Sequence, residues 1–338
     1  MIDKAIRKVI DGHHLEREEM AEVFGEMMDG RASDVQKSAL LVALRMKGET
    51  TEEITGAAMA MRQRVVPLGI DPDGVVDTCG TGGDGSNTFN ISTIAALVVA
   101  GAGIIVAKHG NRAMSSACGS ADVLSALGVR VDVPAERLSD VLRRVGIAFL
   151  FAPKMHPAMA AVIGVRRELG VRTIFNALGP LTNPVFPRRQ VLGVYSDELV
   201  EKAARVLMNL GVQHVMVVHS RDGMDEISLS APTHVCEVRD GALRSYELGP
   251  DDLGLPTYPI DTMAGGDSAH NAQIARGVLE GEEGARRDIV LAAAGAALYV
   301  SGAAPTIRDG VALAREALAS GAARRKLEEL VAVTNELA

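Results

Sequence analysis

Apolar positions in the first 68 residues recur at helical spacing, with Leu40, Leu41 and Leu44, then Ile54, Ala57, Ala58 and Met61, lining helix faces. Two of these stretches follow capping-box pairs, Ser33 with Gln36 and Thr50 with Glu53, in which each side chain satisfies a free backbone N–H at a helix start. The pattern predicts consecutive helices without strands over residues 1–68, closed by the turn-rich PLGIDPDG at 67–74. From Val75 the pattern changes. Short runs, largely apolar, at 75–78, 104–107, 129–131, 147–150, 191–195 and 215–219 alternate with helical patterns at 92–100, 121–127, 135–145, 156–169 and 197–210. Strands that lack a polar face and are separated by helices predict a parallel sheet covered on both sides. A strand-rich excursion near 234–246 and alanine-rich helices from Ser268 onward complete an α/β pattern. The longest apolar run, 94–107, is broken by Gly101 and Gly103 and is too short to span a membrane.

Composition narrows the partners. The 338 residues are 47% hydrophobic and 23% charged, enough for a large domain and a small one with a sizeable core. A net charge of −8 and a pI near 5.6, without long runs of like charge, argue against nucleic acid and anionic membrane. The opening MIDKAIRKVIDGHHLEREEM carries charges every few positions, so neither a secretory signal nor a transit peptide is expected. Cys79, Cys118 and Cys236 are odd in number and unpaired in spacing, which predicts a reducing, cytoplasmic compartment and neither a disulfide framework nor a zinc site.

The densest candidate chemistry is VVDTCGTGGDGSNTFNIST at 75–93. Gly80, Gly82 and Gly85 satisfy GxGxxG between a strand and a helix, the context of a dinucleotide fingerprint. That fingerprint also needs an acid about 20 residues on to hold a ribose. The next strand ends instead at Lys108 and His109, which suit phosphate, although an NADP reading stays open. A Walker loop fails because Ser86 stands where lysine is required. What remains is a phosphate cradle in which glycines let backbone N–H groups approach an oxyanion and a helix N-terminus faces it. Asn90, Ser92 and Thr93 add donors at the helix start, and the GGD string recurs at 265–267 without a true repeat.

KHGNRAMSSACGSAD, 108–122, follows the next strand and should emerge at the same carboxyl edge of the sheet. Its cation pair Lys108 and Arg112, the amide of Asn111 and the hydroxyls of Ser115, Ser116 and Ser120 read as a second anion-binding loop. Nothing near His109 has the spacing of a hydrolytic triad. Asp225 and Glu226, in DGMDEIS, would point to opposite faces of a strand but reach one site from a loop. Mg²⁺ commonly takes one or two carboxylates and completes its shell with water and phosphate. Arg166 and Arg167 precede FNALGPLTNP; an arginine fork suits a carboxylate, and an exposed helix face explains them equally well.

The strings DTCGTGGDGSNTFNIST, KHGNRAMSSACGSADVLSALGV, RRELGVRTIFNALGPLTNP and DGMDEIS, in this order and spacing, closely resemble anthranilate phosphoribosyltransferase over nearly the whole chain. The resemblance implies an α/β protein with a small all-helical domain and a large domain whose mostly parallel central sheet is flanked by helices. Residues 1–68 would form the small domain, with helices from about 156–179 returning to it, and 69–338 the large one. Homodimers would form through the small domains. The implied reaction transfers the 5-phosphoribosyl group of phosphoribosyl pyrophosphate (PRPP) to the amine of anthranilate. By the same resemblance, Gly80, Gly82, Gly83, Asp84, Thr88, Asn90, Ser92 and Thr93 would bind PRPP together with Lys108, Asn111, Ser116 and Ser120. Ser92, Asp225 and Glu226 would hold Mg²⁺, and anthranilate would lie near Gly80, His109, Asn111 and Arg166, with Arg166 facing its carboxylate. No general base is assigned. Ala160, Ser220 and Ala292 depart from the family's usual lysine, glycine and asparagine. A pyrimidine nucleoside phosphorylase of the same fold is the nearest alternative, disfavoured by GTGGD and NALGPLTNP. A non-catalytic nucleic-acid-binding paralogue is disfavoured by the acidic pI.

Overall fold

The computed structural model describes residues 1–113 and 117–338, so Ser115 and Ser116 lie outside the described residues. Four helices come first: α1 (Ile2–Ile10), α2 (Arg17–Met28), α3 (Asp34–Lys47) and α4 (Thr51–Arg62). Both capping boxes form: the Ser33 and Thr50 hydroxyls accept from Gln36 N at 3.3 Å and Glu53 N at 3.2 Å, and the Gln36 and Glu53 side chains accept in return. The buried Glu53 also accepts from Leu15 N at 3.0 Å and Lys47 Nζ at 2.9 Å. One carboxylate thereby caps α4 and ties it to the end of α3 and to the α1–α2 connection.

The α/β part then runs β1 (Val75–Gly80), α5 (Ile91–Gly101), β2 (Ile105–Gly110), α6 (Ser120–Ala126), α7 (Ala135–Val145), β3 (Ile147–Phe151) and the short α8 (Ala152–Met155). Next come α9 (Ala160–Leu169), α10 (Phe175–Leu178), β4 (Arg189–Gly193), α11 (Asp197–Asn209), β5 (His214–Ser220), β6 (Thr233–Arg239) and β7 (Ala242–Leu248). After α12 (Pro250–Leu253), the chain closes with α13 (Ser268–Leu279), α14 (Ala285–Ser301), α15 (Ile307–Ala319) and α16 (Ala322–Leu337). The strand order is β3-β2-β1-β4-β5-β6-β7; the first five are parallel, and β6 and β7 form an antiparallel edge. Among the described residues no helix is long and apolar enough to cross a membrane.

Two sequence expectations fail here. Val129 to Val131 is not a strand: Val129 N bonds Leu124 O at 3.0 Å and Arg130 N bonds Thr334 Oγ1 at 3.1 Å, so these backbone groups are taken by α6 and α16. The two valines are buried anchors, which a short apolar run signals as readily as a strand. The helix expected over 156–169 starts late, because Pro157 opens a 3₁₀ turn, Pro157–Met159, and α9 begins only at Ala160.

The sheet separates two apolar clusters, and β5 shows the division: Val215 and Val217 face one, Met216 and Val218 the other. The first cluster continues from the sheet through α11 into α1–α4 and includes Val162 and Val165 of α9 and Phe175 and Leu178 of α10. Because the strand order turns around between β1 and β4, a crevice opens at the carboxyl ends of these strands. The candidate residues converge there.

Candidate active site

Gly82 and Gly83 follow β1 with φ of 63° and 71°, a region that favours glycine. Gly82 N donates to Asp225 Oδ2 at 2.7 Å, and Asp84 Oδ2 accepts from Asp225 N at 3.1 Å. The glycine loop and the DGMDEIS loop are therefore laced together. Gly193, at the end of β4, has a different reason to be glycine: a Cβ there would collide with the Asp225 backbone carbonyl. Thr88 pairs with Ala264 and Gly265 N bonds Asn87 O at 2.9 Å, so the second GGD segment braces the first.

The N-terminus of α5 is free of a side-chain cap. Ser92 N donates to Glu226 Oε1 at 3.2 Å, an acid placed at the positive end of the helix. The side chain of Asn90 donates to Cys118 O at 3.1 Å and accepts from Asn271 Nδ2 at 3.0 Å. Thr93 is buried beneath them. Lys108 is in β2 itself, buried, where Nζ donates to Thr78 O and lies 3.3 Å from Ser92 Oγ. Burial pulls its pKa down, opposed by the nearby Asp77, Cys79, Glu226 and Asp225. The buried Asp77 accepts from His109 N and Gln190 Nε2, both at 3.2 Å, and fixes the ends of β2 and β4 against β1.

Asp225 accepts from Gly82 N and Glu226 from Ser92 N, so both acids contact the segment from the glycine loop to the start of α5. Their carboxyls are pushed up to about 7 and about 8, first by burial, then by Asp84 on Asp225 and by Asp225 on Glu226. Mutually repelling hard oxygen donors beside a serine hydroxyl are a set that fits Mg²⁺. Among the described residues no group of three or more His, Cys, Asp or Glu side chains surrounds one point. Two carboxylates and Ser92 would thus leave the remaining positions to water and phosphate oxygens.

In the second loop the Ser120 hydroxyl donates to Asn111 O at 3.2 Å. Arg112, expected to pair with Lys108, is instead bonded to Asp122 at 2.9 Å, and its guanidinium sits 5.8 Å from the centroid of the Phe151 ring. The other side of the crevice is built differently. His109 and His156 are buried with their Nε2 atoms 3.1 Å apart. Burial pulls them to about 3 and about 4, with each other's proximity second for His109, so both are neutral near pH 7. Arg166 lies half-buried over the Phe175 ring at 5.1 Å, with its pKa lowered by burial, whereas Arg167 is exposed. The NALGPLTNP segment beside them is held by Arg62 Nε to Leu181 O at 2.8 Å, Gln190 Nε2 to Pro180 O at 2.9 Å and Asn183 Nδ2 to Ala107 O at 2.9 Å.

Several residues of this site carry no sequence signal strong enough to single them out. His156 is distant from His109 in sequence; Arg172, which donates to Gly83 O and stacks 4.6 Å from the Tyr195 centroid, lies in a connection. Asn271 is reached only through the recurrence of GGD just before it.

Comparison with known proteins gives the family of the chain. A family described as glycosyl transferase family, helical bundle domain, matches residues 3–65, and glycosyl transferase family, a/b domain, matches residues 72–324. Anthranilate phosphoribosyltransferase of Anaeromyxobacter dehalogenans is 57% identical over 334 residues, covering 99% of both chains. The crystal structure of anthranilate phosphoribosyltransferase from Thermus thermophilus superposes with a TM-score of 0.93 at 47% identity, over 98% of this chain and 99% of that one. The Saccharomyces cerevisiae enzyme in complex with PRPP and Mg superposes with a TM-score of 0.90 at 28% identity, over 99% and 98%. The chain belongs to the anthranilate phosphoribosyltransferase family.

Proposed function

We propose that this crevice transfers the 5-phosphoribosyl group of PRPP to the amine of anthranilate, with the residue roles that the family resemblance implies. The single observation that carries the reading is the convergence of the glycine loop, Lys108 and the Asp225–Glu226 pair at the strand-order reversal. The amine nitrogen bonds to C1 of the ribose, the bond from C1 to the pyrophosphate oxygen breaks, and the aryl ammonium loses its proton to water. Backbone N–H groups of the glycine loop and of the α5 N-terminus, together with the Lys108 ammonium, would stabilise the negative charge that grows on the leaving oxygens. Mg²⁺, when bound by Asp225, Glu226 and Ser92, would neutralise pyrophosphate charge; the S. cerevisiae relative solved with PRPP and Mg supports this.

The opposite wall would hold anthranilate, its carboxylate against Arg166. His109 is too weak a base, at about 3, to take a proton at neutral pH, so the residues place the amine and do not deprotonate it. Holding both substrates in line supplies much of the rate. Residues 1–68 with about 156–179 are read as the small domain and the remainder of 69–338 as the large one; the shared apolar cluster of α1–α4 with α9 and α10 supports this. Exposed Ile10, Val35, Met46 and Ile163 on the small domain support homodimer formation there, and the three free, buried cysteines support a reducing, cytoplasmic setting. The test is loss of anthranilate fluorescence on adding PRPP. Mg²⁺-dependent loss is expected, and no turnover by the pure protein at any Mg²⁺ concentration would overturn the reading.

A further inference from the structure

Gly82 N and Ser92 N reach Asp225 and Glu226 from outside their loop, and the loop that carries the two acids is closed by a separate set of bonds. The loop leaves β5 at Ser220 and returns to β6 at Thr233. Both of its ends meet at a third acid, Asp222. One oxygen of Asp222 accepts from the Ser220 hydroxyl, and the other accepts from the hydroxyls of Ser228, at 2.6 Å, and Ser230. Ser220 adds a turn of its own: its N–H donates to Met224 O at 3.0 Å and its Oγ accepts from Met224 N at 3.1 Å. On the return side, Ser228 N bonds Thr233 Oγ1 at 3.0 Å. The clasp therefore joins residues before the acidic pair to residues after it, and every bond in it lies within the loop or at the two strand ends.

We propose that Asp222 is a positioning residue that fixes the separation of Asp225 and Glu226, and so sets the affinity of the site for Mg²⁺. The proposal rests on the metal role given above to Asp225 and Glu226. The two oxygens of Asp222 accept from three hydroxyls of its own loop, so its part in the proposal is to hold the loop and not to ligate the metal. A carboxylate with three hydroxyl donors forms charge-assisted bonds that hold a short loop far better than neutral ones. Removing it loosens the loop behind the two metal-facing acids, which are then held only by their contacts with Gly82, Asp84 and Ser92; this costs metal affinity and leaves the phosphate donors of the glycine loop intact.

The test is calorimetric binding of inorganic pyrophosphate to the purified protein, with and without Mg²⁺, alongside turnover at varied Mg²⁺. For Asp222→Ala, the Mg²⁺-dependent gain in pyrophosphate affinity should fall about tenfold, and half-maximal turnover should need about tenfold more Mg²⁺. At saturating Mg²⁺, kcat should stay within about threefold of the parent. Asp222→Asn, which keeps the shape and one acceptor, should recover part of both effects. If Asp222→Ala does not fold, Ser228→Ala with Ser230→Ala opens the far end of the clasp and should raise the Mg²⁺ requirement in the same direction. Lower kcat and melting temperature with an unchanged Mg²⁺ requirement would overturn the proposal and leave Asp222 a structural residue. The double variant Asp225→Asn, Glu226→Gln separates the two readings. If it loses the Mg²⁺-dependent gain while the Asp222 variants keep it, the clasp alone is wrong; if it keeps the gain, the metal role fails and the clasp with it.

Discussion

The two walls of the crevice are built by opposite means. On the phosphate wall, charge is dense and only partly compensated: buried Lys108 works against Asp77, and two acids are pushed up to about 7 and about 8. On the acceptor wall charge is scarce: two neutral imidazoles and one arginine desolvated over an aromatic ring. A polyanion such as PRPP is strongly hydrated, and its site must replace water with many donors and a cation. A monoanionic aromatic acid needs one fork and an apolar bed. In the roles proposed for them, the phosphate wall would tune its grip through exchangeable charge, whereas the acceptor wall would select by shape with one fixed cation.

The largest effect should come from breaking the dense wall. Lys108→Met removes the buried cation that faces Ser92 Oγ and offsets Glu226. Loss of one such preorganised donor should lower kcat/KM for PRPP about 10²–10³-fold. The KM for anthranilate should barely move. Steady-state kinetics with each substrate varied in turn check this, and an equal rise in both KM values would mean that the walls are not separate.

On the acceptor wall, Arg166→Ala should raise the KM for anthranilate about 10–100-fold, the worth of one charged hydrogen-bonded contact. PRPP affinity should be nearly kept. Arg166→Lys should recover little, because an ammonium lacks the planar fork and stacks poorly on the Phe175 ring. A variant that loses PRPP affinity instead would place Arg166 on the phosphate wall.

The phosphate wall was also the more legible of the two. Its glycines, Lys108 and the acids sit in compact strings whose composition exceeds what a turn needs, so residue type and spacing were enough. Glycine is there for φ at Gly82 and Gly83 and for the close approach of Asp225 at Gly193. Only the former follows from a local motif; the latter depends on β4 lying beside β1. Parallel strands were readable from unbroken apolar runs, and Val129 to Val131 shows the limit of that signal, since burial against helices produces the same run. The acceptor wall is assembled from His109 on β2, His156 before α9 and Arg166 within it. Nothing local joins them, and Arg166 could not be told from Arg167 until α9 turned one inward and the other out. Asp222 lay in plain view in DGMDEIS, but its partners Ser228 and Ser230 acquire meaning only once the loop closes.

The last effect concerns stability and not turnover. His109 and His156 stay neutral in the folded protein down to about 3 and about 4, whereas in the unfolded chain each takes a proton near pH 6.5. Between those values the unfolded state holds more protons, so stability falls as pH drops from about 6.5 towards 4, by up to about 1.4 kcal/mol per pH unit for each histidine. His156→Asn removes one of the two titrations and relieves the other of its neighbour. Its stability at pH 7 should be slightly lower, from the lost 3.1 Å contact, while its decline towards pH 4.5 should be shallower than the parent's. Urea unfolding at pH 7, 6, 5 and 4.5 measures the two slopes, and the difference between the proteins cancels the carboxylates they share. Parallel slopes would show that the acceptor wall carries charge after all, and the contrast between the walls would fail at its neutral side.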